Sequence, residues 1–126
     1  MSGMMCIDSK GWIERLSDGP KSSRYNKIID AVETEEIITP VIVLYEVYKK
    51  IKKIRGEEVA LEAIAALSQT NVVTIDRTIA LEAADYSLEY GLHMADALVY
   101  ASARHHSAQL YTSDDDLKGL NGVTFI

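Results

Sequence analysis

Short apolar runs alternate with amphipathic segments along the chain, and this alternation predicts its secondary structure. Between the runs, apolar residues recur at helical spacing, for example at Tyr25, Ile28, Ile29 and Val32. The pattern predicts helices over residues 12–16, 24–32, 40–55, 57–68, 77–90 and 94–106, and strands over residues 4–8, 36–39, 72–75, 109–112 and 123–126. Strands that alternate with helices are typical of an α/β domain with a parallel sheet.

Residues that begin or break helices support these boundaries. The sequence SDGP at residues 17–20 interrupts the first helical region. Pro40 is expected to open its helix, where a missing N–H is tolerated, and Gly56 is expected to end it. Tyr45 fits the apolar stripe of the same helix, so we expect its ring to be packed. The segment 94–106 is apolar on nearly every side and is predicted to be buried.

The composition is that of a globular protein, and we expect one domain spanning residues 1–126. Hydrophobic residues make up 48% of the chain and charged residues 25%, which argues against a disordered protein. Cys6 is the single cysteine, so no disulfide can form within the chain. We see no signal peptide and no apolar run near the roughly 18 residues of a membrane helix, so we expect a cytoplasmic protein with no membrane partner.

Acidic residues occur where the predicted strands meet the helices that follow them. Asp8 closes the first strand, and Asp114 follows the fourth. Asp96 lies in the first turn of the buried helix, and Glu46 lies in the helix after the second strand. The carboxyl ends of parallel strands share one edge of the sheet, so these side chains could meet there.

Clustered carboxylates repel one another unless a cation binds between them. Oxygen ligands, with neither cysteine nor histidine at matching spacing, suit Mg²⁺ or Mn²⁺ rather than Zn²⁺. The net charge of −6 argues against a protein that binds nucleic acid only through a basic surface. It is compatible with an enzyme whose acidic residues are gathered in a metal site.

Each acid also has an ordinary structural explanation, and the residues alone leave both open. Asp8 could cap the helix that follows it, and Asp96 could gain about 0.3–1 kcal/mol from the dipole of its own helix. Glu46 could pair with Lys50 for about 0.2–0.5 kcal/mol. Residues 114–116 could simply begin a turn or a short helix.

A basic run, YKKIKKIR, occupies residues 48–55 of the helix that carries Glu46. Lys49, Lys50 and Lys53 lie three, four and seven residues after Glu46, so we expect them to share its face. Their ammonium groups could bind RNA phosphates beside the acids. They could equally form a solvated helix face with local ion pairs.

Three longer segments resemble the PIN-domain family, and within it the VapC toxins of toxin–antitoxin pairs. They are CIDSKGWIERLSDGP at residues 6–20, IITPVIVLYEVYKKI at residues 37–51 and GLHMADALVYASARHHSAQLYTSDDDLKGLNGVTFI at residues 91–126. The start of the first segment is weak by itself. The helical pattern L-x-x-x-D-A-x-x-x-A-x-A, followed by a strand and T-x-D, is much more specific. The three segments in this order extend the resemblance over nearly the whole chain.

The resemblance implies a PIN-like three-layer α/β/α domain with a central parallel sheet of four to five strands. It also implies an endoribonuclease that depends on Mg²⁺ or Mn²⁺ and acts as the toxin of a VapBC-type pair. The implied partners are an RNA substrate, a VapB-type antitoxin and a second copy of the chain in a homodimer.

The resemblance assigns catalytic and metal-binding roles to Asp8, Glu46, Asp96 and Asp114 of this chain. We expect Asp8, Asp96 and Asp114 to lie nearest the metal, whereas Glu46 is expected to bind through a water or to position the attacking water. The T-x-D motif selects Asp114 rather than Asp115 as the fourth acid.

Three further residues matter for the resemblance. Thr112 stands where the family carries a threonine that can orient a ligand or water, and Asp116 stands where many relatives also carry an acid, so both are assigned auxiliary roles. Lys10 departs from the pattern, because relatives often have a small or apolar residue at this position. Because this departure is at none of the four acidic positions, it does not argue against the expected activity.

Two other functions stay open on the sequence. One is a PIN-domain nuclease that processes RNA outside toxin–antitoxin systems, and the other is a non-catalytic PIN module that only binds a partner. Retention of all four acids argues against the second. A phospho-acceptor receiver domain is disfavoured, since such domains need paired acids after the first strand and only Asp8 follows it.

Overall fold

A computed structural model of the chain describes residues 4–126; residues 1–3, the start of the expected domain, lie outside the described residues. The described part contains five strands and six α-helices. In chain order they are β1 (Met4–Ile7), α1 (Ser9–Ser17), α2 (Ser22–Ile29), β2 (Ile37–Pro40), α3 (Val41–Arg55), α4 (Glu57–Leu67), β3 (Asn71–Val73), α5 (Arg77–Tyr90), α6 (Met94–His105), β4 (Ala108–Thr112) and β5 (Val123–Phe125). Short 3₁₀ helices occupy Thr34–Glu36 and Asp115–Leu117.

The five strands form one parallel sheet in the order β3-β2-β1-β4-β5. This confirms the predicted α/β class and the parallel sheet of four to five strands. The chain first adds strands on one side of β1 and then crosses to the other side, so the winding reverses between β1 and β4. Ile7 pairs with Tyr111 there, which brings the residues after these two strands side by side. Ligand sites of open α/β sheets form at such a reversal.

Helices cover both faces of the sheet, which confirms the three-layer arrangement. α1 contacts α2 and α3, α3 contacts α4, and α5 packs against α6. Because crossovers between parallel strands are nearly always right-handed, the reversal in strand order places these two groups of helices on opposite faces. The core contains fully buried side chains from each layer, such as Val47 of α3, Leu110 of β4 and Ala101 of α6. No helix within residues 4–126 combines the length and the apolar character needed to cross a lipid bilayer.

Several predicted boundaries differ from the observed ones by a few residues. The helix predicted over residues 12–16 begins at Ser9, because the Asp8 side chain accepts a hydrogen bond from the Gly11 N–H (2.9 Å) and caps it there. Pro40 ends β2 and caps α3 instead of lying inside the helix. Tyr45 was expected to be packed but is 58% exposed, because the buried face of α3 carries other residues: Val43, Val47 and Ile51.

Candidate functional site

The four acids singled out in the sequence lie on elements that end or begin at the carboxyl edge of the sheet. Asp8 directly follows β1, and Asp114 follows β4, the neighbouring strand. Asp96 lies in the first turn of α6, which leads into β4, and Glu46 lies in α3, which follows β2. The reversal of winding between β1 and β4 thus places acidic side chains on both sides of the point where parallel sheets bind ligands.

Asp8 is deeply buried, with 6% of its surface exposed. One carboxylate oxygen accepts hydrogen bonds from the Gly11 N–H (2.9 Å) and the Tyr25 hydroxyl (3.3 Å), and the other accepts one from the Thr112 hydroxyl. Burial raises the pKa of Asp8, while these hydrogen bonds and the charge of Lys10 act in the opposite direction. The helix cap considered for Asp8 is therefore present, and it fixes a buried carboxyl group at the edge of the sheet.

Tyr25 is a residue of this site that the sequence pattern assigned only to an apolar helix face. It is fully buried, and its hydroxyl lies 3.0 Å from the Ser113 Oγ as well as near Asp8. Gly11 makes room for the ring, since an added Cβ would lie 2.4 Å from a ring carbon. The hydroxyl of Tyr25 could have indicated this role from the sequence, because a buried tyrosine hydroxyl usually forms a hydrogen bond with a polar partner.

Thr112, the last residue of β4, connects Asp8 to Asp114. Its buried hydroxyl donates to Asp8 and accepts a hydrogen bond from the Asp114 N–H (3.0 Å). The Asp114 side chain in turn accepts a hydrogen bond from the Asp116 N–H (3.0 Å) and caps the 3₁₀ helix that follows. The short helix considered for residues 114–116 is therefore present.

Asp96 is half-buried at the N-terminus of α6. Burial raises its pKa from 3.8 to about 6; the nearby Asp114 and Glu46 carboxylates act in the same direction, and Lys10 opposes them. The raised pKa means that the Asp96 carboxyl group binds its proton more tightly in the folded chain than in the unfolded chain. Above about pH 6, where Asp96 is ionised in both states, it therefore lowers the free energy of unfolding. This destabilisation decreases as the pH falls through 6 and is absent below the unfolded value of 3.8.

Asp96, Asp114 and Asp116 form the closest acidic group within residues 4–126, with one carboxylate oxygen from each lying within 4.8 Å of the others. Three oxygen donors at this separation suit a hard cation such as Mg²⁺ or Mn²⁺, which would also offset the repulsion around Asp96. The residues present therefore fit a divalent metal. Asp8 is not part of this group, and its oxygens accept the three hydrogen bonds described above. The expectation that Asp8 also lies near the metal stays a prediction.

A groove beside the acids, called here the lysine groove, contains Glu46 and a set of lysines. Its lining residues are Ser9, Lys10, Ile13, Tyr45, Glu46, Lys49, Lys50 and Lys53. The three lysines of α3 thus share a groove with Glu46. In the described chain, Glu46 and Lys50 do not form the ion pair that was considered for them.

Lys10, noted in the sequence only as a departure from a family pattern, contacts the site directly. Its Nζ lies 3.4 Å from the Asp114 Oδ2, and its side chain is 60% exposed. Lys10 lies only two residues after Asp8, and this short separation could have predicted its place near the acids. A residue in the first turn of α1 necessarily stays near the carboxyl end of β1.

Comparison with known structures shows that this architecture is shared by bacterial toxins. The chain is similar to a toxin–antitoxin complex from Klebsiella pneumoniae, with 26% identity, 95% of both chains covered and a TM-score of 0.81. VapC20 of Mycobacterium tuberculosis, described as a sarcin–ricin loop cleaving toxin, is 15% identical over 90% of this chain and 91% of its own, with a TM-score of 0.74. VapBC2 of Rickettsia felis, bound to a DNA fragment from its promoter, is 14% identical over 98% and 97% of the two chains, also with a TM-score of 0.74.

The family comparison agrees with these structural similarities. No curated protein sequence matches the chain. A family model described as the PIN domain, however, matches residues 5–123, which include all the acids discussed above. The chain therefore belongs to the PIN-domain family.

Proposed function

We propose that this protein is an endoribonuclease that depends on Mg²⁺ or Mn²⁺ and acts as the toxin of a VapBC-type toxin–antitoxin pair. The observation that carries the proposal is the group of three carboxylates, Asp96, Asp114 and Asp116, whose oxygens lie within 4.8 Å of one another at the carboxyl edge of the sheet. Membership in the PIN-domain family and similarity to a toxin that cleaves the sarcin–ricin loop support it.

In this proposal the acidic residues have different roles in RNA hydrolysis. Asp96, Asp114 and Asp116 would hold the metal, which would supply Lewis-acid polarisation of the phosphate and activation of a water. Glu46 lines the lysine groove from α3 and would orient the attacking water. Asp8 adds its charge to the site and, through Thr112, fixes the backbone position of Asp114.

The lysine groove supplies the surface on which the RNA backbone would lie. Lys49, Lys50 and Lys53 line it together with Glu46, so their ammonium groups can neutralise phosphates next to the acids. Tyr45 lines the same groove with an exposed ring. This local basic surface explains how a chain with a net charge of −6 can bind RNA.

The combined change Lys49→Ala, Lys50→Ala and Lys53→Ala is expected to weaken RNA binding at least about ten-fold, because three phosphate contacts are lost. The slope of log affinity against log salt should become shallower by about 2, at roughly 0.7 per contact with single-stranded nucleic acid. Both are measured by fluorescence anisotropy with a labelled single-stranded RNA, in an Asp96→Asn background that prevents cleavage.

A control variant removes three positive charges outside the groove: Lys27→Ala, Lys52→Ala and Arg55→Ala. These residues do not line the lysine groove, and Lys52 is paired with Glu57 instead. An equal loss of affinity in this control would mean that only net charge matters, and the three groove lysines would then be an ordinary solvated helix face.

The proposal also includes two protein partners. Similarity to toxin–antitoxin complexes supports a VapB-type antitoxin. Self-association in a homodimer is supported by large apolar side chains that are exposed on α5 and α6, namely Leu81 (63%), Leu88 (87%) and Met94 (73%). Leu81 and Leu88 lie seven residues apart and therefore share one face of α5.

The experiment that tests the proposed function is cleavage of total cellular RNA by the purified, antitoxin-free protein. We expect discrete fragments with Mg²⁺ or Mn²⁺ and none with EDTA, because the acids alone cannot polarise a phosphate. Addition of metal in excess over EDTA should restore cleavage. A folded protein that binds the metal but leaves every RNA intact would favour the non-catalytic binding module.

A further inference from the structure

Lys10 connects the acidic site to the basic surface. Its Nζ lies 3.4 Å from the Asp114 Oδ2, and within the described residues this is the only ion pair made by Asp8, Glu46, Asp96 or Asp114. The side chain is nevertheless 60% exposed, so the ammonium group is held by one carboxylate on one side and open to solvent on the other.

Lys10 does not stabilise the helix in which it lies. Lys10 is the second residue of α1, and the first turn of this helix contains no acidic residue. A cation at the N-terminus of a helix is disfavoured by the helix dipole. The stability of α1 therefore does not require a lysine here, and its favourable interactions are those with the acids.

Lys10 also lies where two grooves meet. It lines the lysine groove together with Glu46 and Lys50. With Lys50 it lines a second groove that runs over α1 to Lys21 and Ser113, the residue before Asp114. An RNA backbone that lies in either groove would therefore lie against a surface that includes the Lys10 side chain.

We propose that Lys10 is a substrate-binding residue that holds an RNA phosphate at the junction of the two grooves, and that the same ammonium group neutralises Asp114 when no metal is bound. This inference rests on the proposed function, because it takes RNA as the substrate and Asp114 as a metal ligand.

The two roles of Lys10 have opposite effects on metal binding and on RNA binding, and these two affinities can be measured separately. A divalent cation and the Lys10 ammonium group compete for the same Asp114 carboxylate, so removal of the ammonium group should strengthen metal binding. RNA binding should weaken in the same variant, because a phosphate contact is lost. A lysine that served only to offset acidic repulsion would change the first property and not the second.

The test compares Lys10→Ala, Lys10→Arg and, as a control, Lys27→Ala, which removes an exposed lysine outside both grooves. Electron paramagnetic resonance of free Mn²⁺ gives the metal affinity of the RNA-free protein. Fluorescence anisotropy with a labelled single-stranded RNA, in the Asp96→Asn background, gives the RNA affinity and its salt dependence.

For Lys10→Ala we expect Mn²⁺ to bind roughly two- to five-fold more tightly, as befits the loss of a partly exposed ion pair. RNA should bind about ten-fold more weakly, with a salt slope shallower by about 0.7. Lys10→Arg should keep RNA affinity close to that of the parent, since the positive charge remains.

RNA affinity in Lys10→Ala equal to that of the Lys27→Ala control would overturn the inference, whatever happens to Mn²⁺. If the parent protein binds RNA but no metal produces cleavage in the otherwise unmodified chain, the proposed nuclease function fails, while the binding comparison still decides the role of Lys10. A parent protein that binds no RNA overturns both.

Discussion

Asp96→Asn is expected to reduce metal-dependent RNA cleavage by at least about a hundred-fold, more than the loss of a residue that only supports a metal ligand. Asparagine keeps the shape of the side chain, so α6 can pack unchanged against the sheet. The amide lacks the negative charge that a divalent cation requires from this position. The measurement is the single-turnover rate of RNA cleavage in Mg²⁺ or Mn²⁺, and the control is Asp85→Asn, an exposed aspartate on α5.

Thermal unfolding of the same variant separates loss of the site from loss of the fold. Without metal, Asp96→Asn should unfold at the same temperature as the parent or a higher one at pH 8, because the penalty for an ionised, half-buried Asp96 is removed. Mg²⁺ or Mn²⁺ should raise the unfolding temperature of the parent by binding the folded chain, and should do so much less in the variant. Cleavage at the parental rate in a variant that no longer responds to metal would show that this group of acids does not perform the chemistry.

The edge of the sheet at which the site lies could be predicted because short-range rules determine it. Asp8 and Asp114 follow apolar runs that form parallel strands, and such strands end at a common edge whatever their order. The order of the strands depends on where each crossover packs, which is a property of the whole chain. The adjacency of β1 and β4, and hence the contact of Asp8 with Thr112, was not available from the local pattern.

The membership of the closest acidic group depends on details that periodicity does not encode. Asp116 approaches Asp96 and Asp114 because the chain turns sharply at Asp115–Leu117, with the Asp114 side chain capping that turn. Asp8 was expected near the same metal but is not part of this group, and its oxygens accept hydrogen bonds from three separate segments of the chain. Tertiary hydrogen bonds determine which of the neighbouring carboxylates lie close together. The spacing of residues along the chain therefore does not predict it.

Thr112→Val is expected to lower the free energy of unfolding by about 2–3 kcal/mol and to slow RNA cleavage at least ten-fold. These effects are large for a change that keeps nearly the same side-chain shape. The hydroxyl of this fully buried residue donates to Asp8 and accepts a hydrogen bond from the Asp114 N–H. Valine fills the same space but leaves the buried Asp8 carboxylate with one donor fewer and the Asp114 N–H without its acceptor. A partly unsatisfied buried carboxylate is costly, and the backbone at Asp114 loses the contact that positions it.

Thr112→Ser is the matched control, because it keeps the hydroxyl and removes only a methyl group, for about 1 kcal/mol. Urea unfolding gives the stabilities, and RNA cleavage is measured at a temperature where both variants are folded. The serine variant should retain most of the cleavage rate, whereas the valine variant should not, since the hydroxyl is what joins Asp8 to Asp114. If valine proves as stable and as active as serine, this link contributes neither to the fold nor to the geometry of the site, and Asp114 must be positioned by its own short helix alone.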